Sequence, residues 1–102
     1  MGEPVRAVLA MVVPAEHAGT FEREWCAVAA WVARQPGCLR QTLSRAPEED
    51  PTYVITSDWA DLAAYRDFER STQQDEATAR LRALRRSAST QVLEIVEHRE
   101  SA

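Results

Sequence analysis

The segment Val5 to Val13, VRAVLAMVV between Pro4 and Pro14, constrains this chain more than any other stretch. Its β-branched residues and bounding prolines predict a strand. Apolar side chains fall on both parities: Val5, Ala7, Leu9, Met11 and Val13 on one face, Val8, Ala10 and Val12 on the other. Such a strand belongs in a sheet covered on both sides. A chain of 102 residues holds one domain, residues 1–102, with too few helices for two coverings. The pattern therefore predicts a homodimer, sheet against sheet, with an enclosed space between the copies.

The remaining periodicities supply the other elements. A helix is predicted over about residues 15–35, with Phe21, Trp25, Val28 and Val32 on one stripe and Pro36-Gly37 as its stop. Strands follow at Cys38–Ser44 and Tyr53–Ser57. Asp61 is placed to cap a second helix whose inner side carries Leu62, Tyr65 and Phe68. A third helix runs through Asp75–Arg86 on a stripe of Ala77, Leu81 and Leu84, and a last strand is expected over about Thr90–His98. The order β-α-β-β-α-α-β predicts a ferredoxin-like α+β sandwich, a four-stranded antiparallel sheet with helices on one face.

Several functions are disfavoured at this stage. The net charge of −4 argues against a nucleic-acid partner. No apolar run approaches the roughly 20 residues of a membrane helix, and the first residues lack the basic-then-apolar pattern of a secretion signal. Cys26 and Cys38 match no metal pair, and His17 and His98 lie far from them in sequence, so reduced thiols, a cytoplasmic setting and no bound metal are expected. The three glycines form no phosphate-binding loop, so no nucleotide or flavin cofactor is expected.

The helix ending in Pro36-Gly37-Cys38-Leu39, then Tyr53-Val54-Ile55-Thr56-Ser57-Asp58-Trp59 and a helix with Tyr65 and Phe68, resembles the antibiotic biosynthesis monooxygenase domain. The resemblance spans nearly the whole chain and implies a dimeric α+β barrel. It implies, as the leading expectation, a cofactor-independent monooxygenase or tailoring enzyme. Its substrate would be a hydrophobic, aromatic, polyketide-like small molecule, with molecular oxygen as co-substrate. A cyclase or isomerase of the same fold and a non-catalytic binding dimer are the alternatives, because fold does not fix function.

In the polyketide oxygenases of that family, a Trp ending strand 3 and a Tyr in the next helix line the pocket; Trp59 and Tyr65 match both positions. Those enzymes also use a cavity Asn. This chain contains no Asn, and Ile55 stands four residues before Trp59, where one branch carries it. The haem-degrading branch needs a strand-1 Asn and a His about a dozen residues beyond the Trp; the chain has no Asn, and the neighbourhood of Asp75 to Thr78 contains no His.

Trp59, Tyr65 and Glu94 are thus the candidate catalytic residues, Glu94 because its parity with Val92 and Val96 would bury a carboxylate and raise its pKa. Candidate substrate contacts are Trp25, Trp31, Arg40, Ile55, Phe68 and Arg80. Arg40 reads as a charge on a strand facing the barrel interior. Arg80 and its neighbour Arg82 could balance a phenolate, although four arginines within residues 80–86 also fit a solvated helix. Trp59 and Tyr65 are expected to touch one cavity, with Trp59→Ala harming substrate handling more than stability.

Overall fold

A computed structural model describes residues 2–101; Met1 and Ala102, the ends of the expected domain, lie outside the described residues. The elements are β1 (Val5–Val12), α1 (Ala18–Val32), β2 (Cys38–Ala46), β3 (Thr52–Trp59), α2 (Leu62–Glu69), α3 (Thr72–Leu84) and β4 (Ser87–Glu94). The sheet is antiparallel in the order β2-β3-β1-β4, so the two-faced strand β1 sits inside it. The ferredoxin-like α+β architecture is as the periodicity predicts.

The register separates the faces. Val5, Ala7, Leu9 and Met11 pair with Trp59, Ser57, Ile55 and Tyr53 and point toward the helices. Two apolar clusters form there. One gathers Val5, Ala7, Val32, Trp59 and Tyr65; the other gathers Met11, Val13, Phe21, Tyr53 and Leu81. The opposite face carries Val8, Ala10, Val12 and Val54, half-buried and without a covering helix among the described residues. Buried Asp58 lies on that face, 1% exposed, accepting from Arg6 Nε at 2.7 Å and Arg40 Nη1 at 2.6 Å.

Caps and turns set the helix limits. Asp61 accepts from the Ala64 amide at 2.8 Å and Ser71 from the Gln74 amide at 3.0 Å, so α3 starts ahead of Asp75. A 3-10 turn, Ala15–His17, replaces the first turn expected of α1. After α1, Gly37 adopts φ +86°, and its carbonyl accepts from the Ala60 amide at 2.8 Å. A Cβ there would lie 2.5 Å from the Ala64 methyl, so the absent side chain lets α2 approach the sheet.

The last strand departs from expectation. β4 begins at Ser87 and ends at Glu94, because the Arg86 amide bonds to the Val12 carbonyl directly after α3 and fixes the register there. Ser87, Ser89 and Gln91 thus take the open face and leave Leu93 as its apolar residue from β4. Val96, expected inside a strand, is 93% exposed.

Candidate functional site

A cavity of about 240 Å³ opens between the sheet and all three helices of a single chain. This cavity lies within one chain and is distinct from the space expected between two copies. Ala7, Leu9, Met11 and Ile55 form its floor; Trp25, Val28, Val32, Phe68 and Leu81 supply apolar walls. Its volume falls just under the roughly 300–1,000 Å³ of drug-sized pockets, a size for a flat molecule of few rings.

Polar groups enter from two sides. On α2, the Tyr65 hydroxyl donates to Glu69 Oε2 at 3.1 Å, and Arg66 Nη1 donates to Glu69 Oε1 at 3.2 Å. Burial, reinforced by the Glu69 charge, pushes the Tyr65 phenol up to about 12, so it is a proton donor near neutral pH. Glu69 lines the cavity with Tyr65. On α3, Thr78 and Arg82 line it together, joined by a hydrogen bond from Arg82 Nη1 to the Thr78 hydroxyl. Arg82 Nη2 also pairs with Asp75 at 3.1 Å. Arg85, at the end of α3, completes that side.

The sheet contributes Ser57 and Gln41. Ser57 Oγ accepts from the Trp59 indole N–H at 2.9 Å, which leaves the serine hydroxyl hydrogen to point elsewhere. Gln41 donates to the Ala29 carbonyl at 2.9 Å.

Of the residues expected from sequence, Tyr65, Trp25, Ile55 and Phe68 line this cavity. Trp59 does not. It is 0% exposed, stacked on Phe68 with ring centroids 4.7 Å apart and edge-on to Tyr65 at 5.8 Å. It supports the wall from behind, because α2 closes over the strand end where it sits. Trp31 likewise packs on Phe68, at 5.9 Å, rather than reaching the cavity.

The charged candidates are displaced too. Glu94 ends β4 opposite Val5, exposed at the sheet edge rather than buried, and does not line the cavity. Arg40 lies on the face away from the helices and pairs with Asp58 in its own chain. Arg80 is a surface residue, its side chain 83% exposed and paired with Glu24 of α1 at 3.3 Å. Sequence reasoning missed Glu69, Ser57, Gln41 and Arg85. The first two carried a readable signal: Glu69 is one helical turn past Tyr65, and Ser57 shares the strand parity of Ile55.

Among the described residues no group of three or more His, Cys, Asp or Glu could hold a metal ion. No described helix is long and apolar enough to cross a membrane.

Comparisons with known proteins bear on the family and the fold. The chain is 43% identical over 53 residues to deoxynogalonate monooxygenase of Streptomyces nogalater, a match covering 52% of the chain and 42% of that relative's length. The crystal structure of a variant of SnoaB, a cofactor-independent oxygenase from Streptomyces nogalater, superposes with a TM-score of 0.79 at 30% identity, covering 95% of this chain and 97% of that one. A Caulobacter crescentus structure named for the monooxygenase family reaches a TM-score of 0.83 at 24% identity, over 94% and 92% of the two chains, and speaks for the fold. The profile of one family, antibiotic biosynthesis monooxygenase, matches residues 4–80, and the chain belongs to that family.

Proposed function

We propose that this chain is a cofactor-independent monooxygenase that takes a flat, electron-rich, polyketide-like aromatic molecule into the cavity between sheet and helices. The observation that carries the reading is the Tyr65–Glu69 pair on the wall of an otherwise largely apolar cavity, in a chain alike over nearly its full length to SnoaB. An aromatic substrate must lose a proton before it can pass an electron to oxygen. Glu69 is the proton acceptor, directly or through Tyr65, which would take the substrate's proton while handing its own to the carboxylate. The apolar walls exclude water, and the two guanidiniums on α3 favour the anion that forms.

Oxygen uptake with an anthrone or quinol, without added metal, flavin or haem, tests the proposal. Glu69→Gln should lower the rate about 10²-fold or more, the ordinary worth of a positioned base. Absence of uptake across such a panel sinks the oxygenase reading. The lack of any Asn favours a second one, a binding protein whose cavity holds the same kind of molecule unchanged. Tight binding with no product would mark it. A cyclase or isomerase using Glu94 with Tyr65 loses support from the exposure of Glu94.

The open sheet face supports a homodimer in either case. Val8, Ala10, Val12 and Val54 make an apolar strip that a second copy would cover. Sedimentation as a monomer at micromolar concentration would contradict it.

A further inference from the structure

Two uncharged polar side chains stand side by side on the sheet side of the cavity. Gln41 of β2 and Ser57 of β3 are register partners, and both line the cavity. Facing residues of an antiparallel pair hold their Cβ atoms about 5 Å apart. A neighbour fixes the polarity of each. The Ala29 carbonyl only accepts, so the Gln41 amide turns its NH2 group there, at 2.9 Å, and presents Oε1 elsewhere. That carbonyl also accepts from the Ala33 amide at the end of α1, which uses both its lone pairs. The Trp59 indole N–H only donates, so Ser57 Oγ accepts from it at 2.9 Å and keeps a free hydroxyl hydrogen.

Neither free position is met within the chain. Among the described residues no donor reaches Gln41 Oε1, no acceptor takes the Ser57 hydrogen, and no hydrogen bond joins the two side chains. No sealed side-chain N or O among those residues lacks a partner, so the unpaired Oε1 is open to the cavity rather than walled in. The result is one neutral acceptor beside one neutral donor, next to the apolar Ala7 and Ile55. A hydroxyl group satisfies both at once, accepting from Ser57 and donating to Gln41. An ether or ketone oxygen has no hydrogen for Gln41. A phenolate or carboxylate would set a negative charge against that amide oxygen.

We infer that Gln41 and Ser57 together hold one neutral ring hydroxyl of the ligand and thereby set its orientation in the cavity. This rests on the cavity assigned above to the substrate and adds to it two residues that select by substituent position. The held hydroxyl does not react. The amide oxygen that receives its hydrogen bond is no base, so its proton stays, while the proton that leaves does so at Glu69 on the α2 wall.

Equilibrium dialysis of 2-naphthol and of naphthalene tests the assignment without turnover. Gln41→Leu and Ser57→Ala should each weaken 2-naphthol about fivefold, the scale of one neutral hydrogen bond, and neither should weaken naphthalene. A merely structural role, Gln41 tying β2 to α1 or Ser57 pairing Trp59, would weaken both ligands in step. Gln41→Leu leaves the Trp59 N–H paired, so it reads the assignment even where Ser57→Ala does not fold. Naphthol unaffected in either folded variant, both ligands weakened in step, or no binding of naphthol to the unaltered protein overturns the inference. Oxygen uptake by the unaltered protein together with any of those results would leave the function standing and remove the hydroxyl pair. The naphthol-selective losses without uptake would do the reverse.

Discussion

The two ends of the covered sheet face are built alike and used differently. Each buries a large aromatic residue of β3: Trp59 at one end, Tyr53 at the other, both at most 1% exposed. The Tyr53 hydroxyl points outward, donating to Glu22 of α1, to which Arg45 of β2 is also paired. Its ring lies against Phe21, centroids 4.8 Å apart. That end ties a helix to the sheet. The Trp59 indole points inward, its N–H spent on Ser57 of the cavity floor and its ring beneath Phe68 of the cavity wall. Burial alone does not say whether a residue serves a site. The direction of its one polar atom separates the two cases.

Truncation gives the largest expected effects. Trp59→Ala and Phe21→Ala should each cost about 3–5 kcal/mol in denaturant unfolding. For folded protein, Trp59→Ala should also weaken ligand binding, because Phe68 and Ser57 lose their support, whereas Phe21→Ala, which reaches the cavity only through its cluster neighbours such as Met11 and Leu81, should weaken it less. Equal affinities in the two variants would erase the distinction between the ends. The expectation that Trp59→Ala harms substrate handling more than stability assumed a half-exposed ring, whereas the ring is fully buried.

Ion pairs come next. Asp58→Asn should cost about 1–3 kcal/mol, since hydrogen bonds to a buried carboxylate are lost, while Glu22→Gln breaks an exposed pair to Arg45 worth about 0–1 kcal/mol. Hydrogen bonding from Arg6, helped by Arg40 against the opposing effect of burial, holds the Asp58 carboxyl below its ordinary range. A depressed folded-state value means that this stabilisation is complete above about pH 4 and is lost as pH falls through the lowered value. Unfolding midpoints of the parent and Asp58→Asn should therefore converge in acid. A gap that stays constant down to the lowest pH would remove Asp58 from the account.

Removing single hydroxyls should change stability least. Tyr53→Phe and Tyr65→Phe should each cost about 0.5–1.5 kcal/mol. Turnover should fall in Tyr65→Phe alone, because only that hydroxyl adjoins Glu69 on the cavity wall. Comparable turnover in both variants would take Tyr65 out of the proton path.

Much of the fold was legible because it rests on local patterns. The two parities of β1, the Asp61 cap and the Pro36-Gly37 stop each state their own role. β4 was not legible at its start, since Ser87, Ala88 and Ser89 carry no strand signature and are placed by the short link from α3. The cavity within the chain was not legible for a related reason: parity shows that a face is buried, and not what covers it. Among the arginines of residues 80–86, sequence gives no ground for separating Arg80 from Arg85. Only the packing of α3 sends one to solvent and the other to the cavity.

Gly37 has reach beyond its own turn. Tyr65, Phe68 and Glu69 all ride on α2, and the height of α2 over the sheet edge is limited by the missing carbon at position 37. Adding a methyl group there would act on ligands without touching them, tilting a whole wall and altering which ring widths the cavity admits. In this chain a dimension of the binding space is written outside it, in a residue with no side chain.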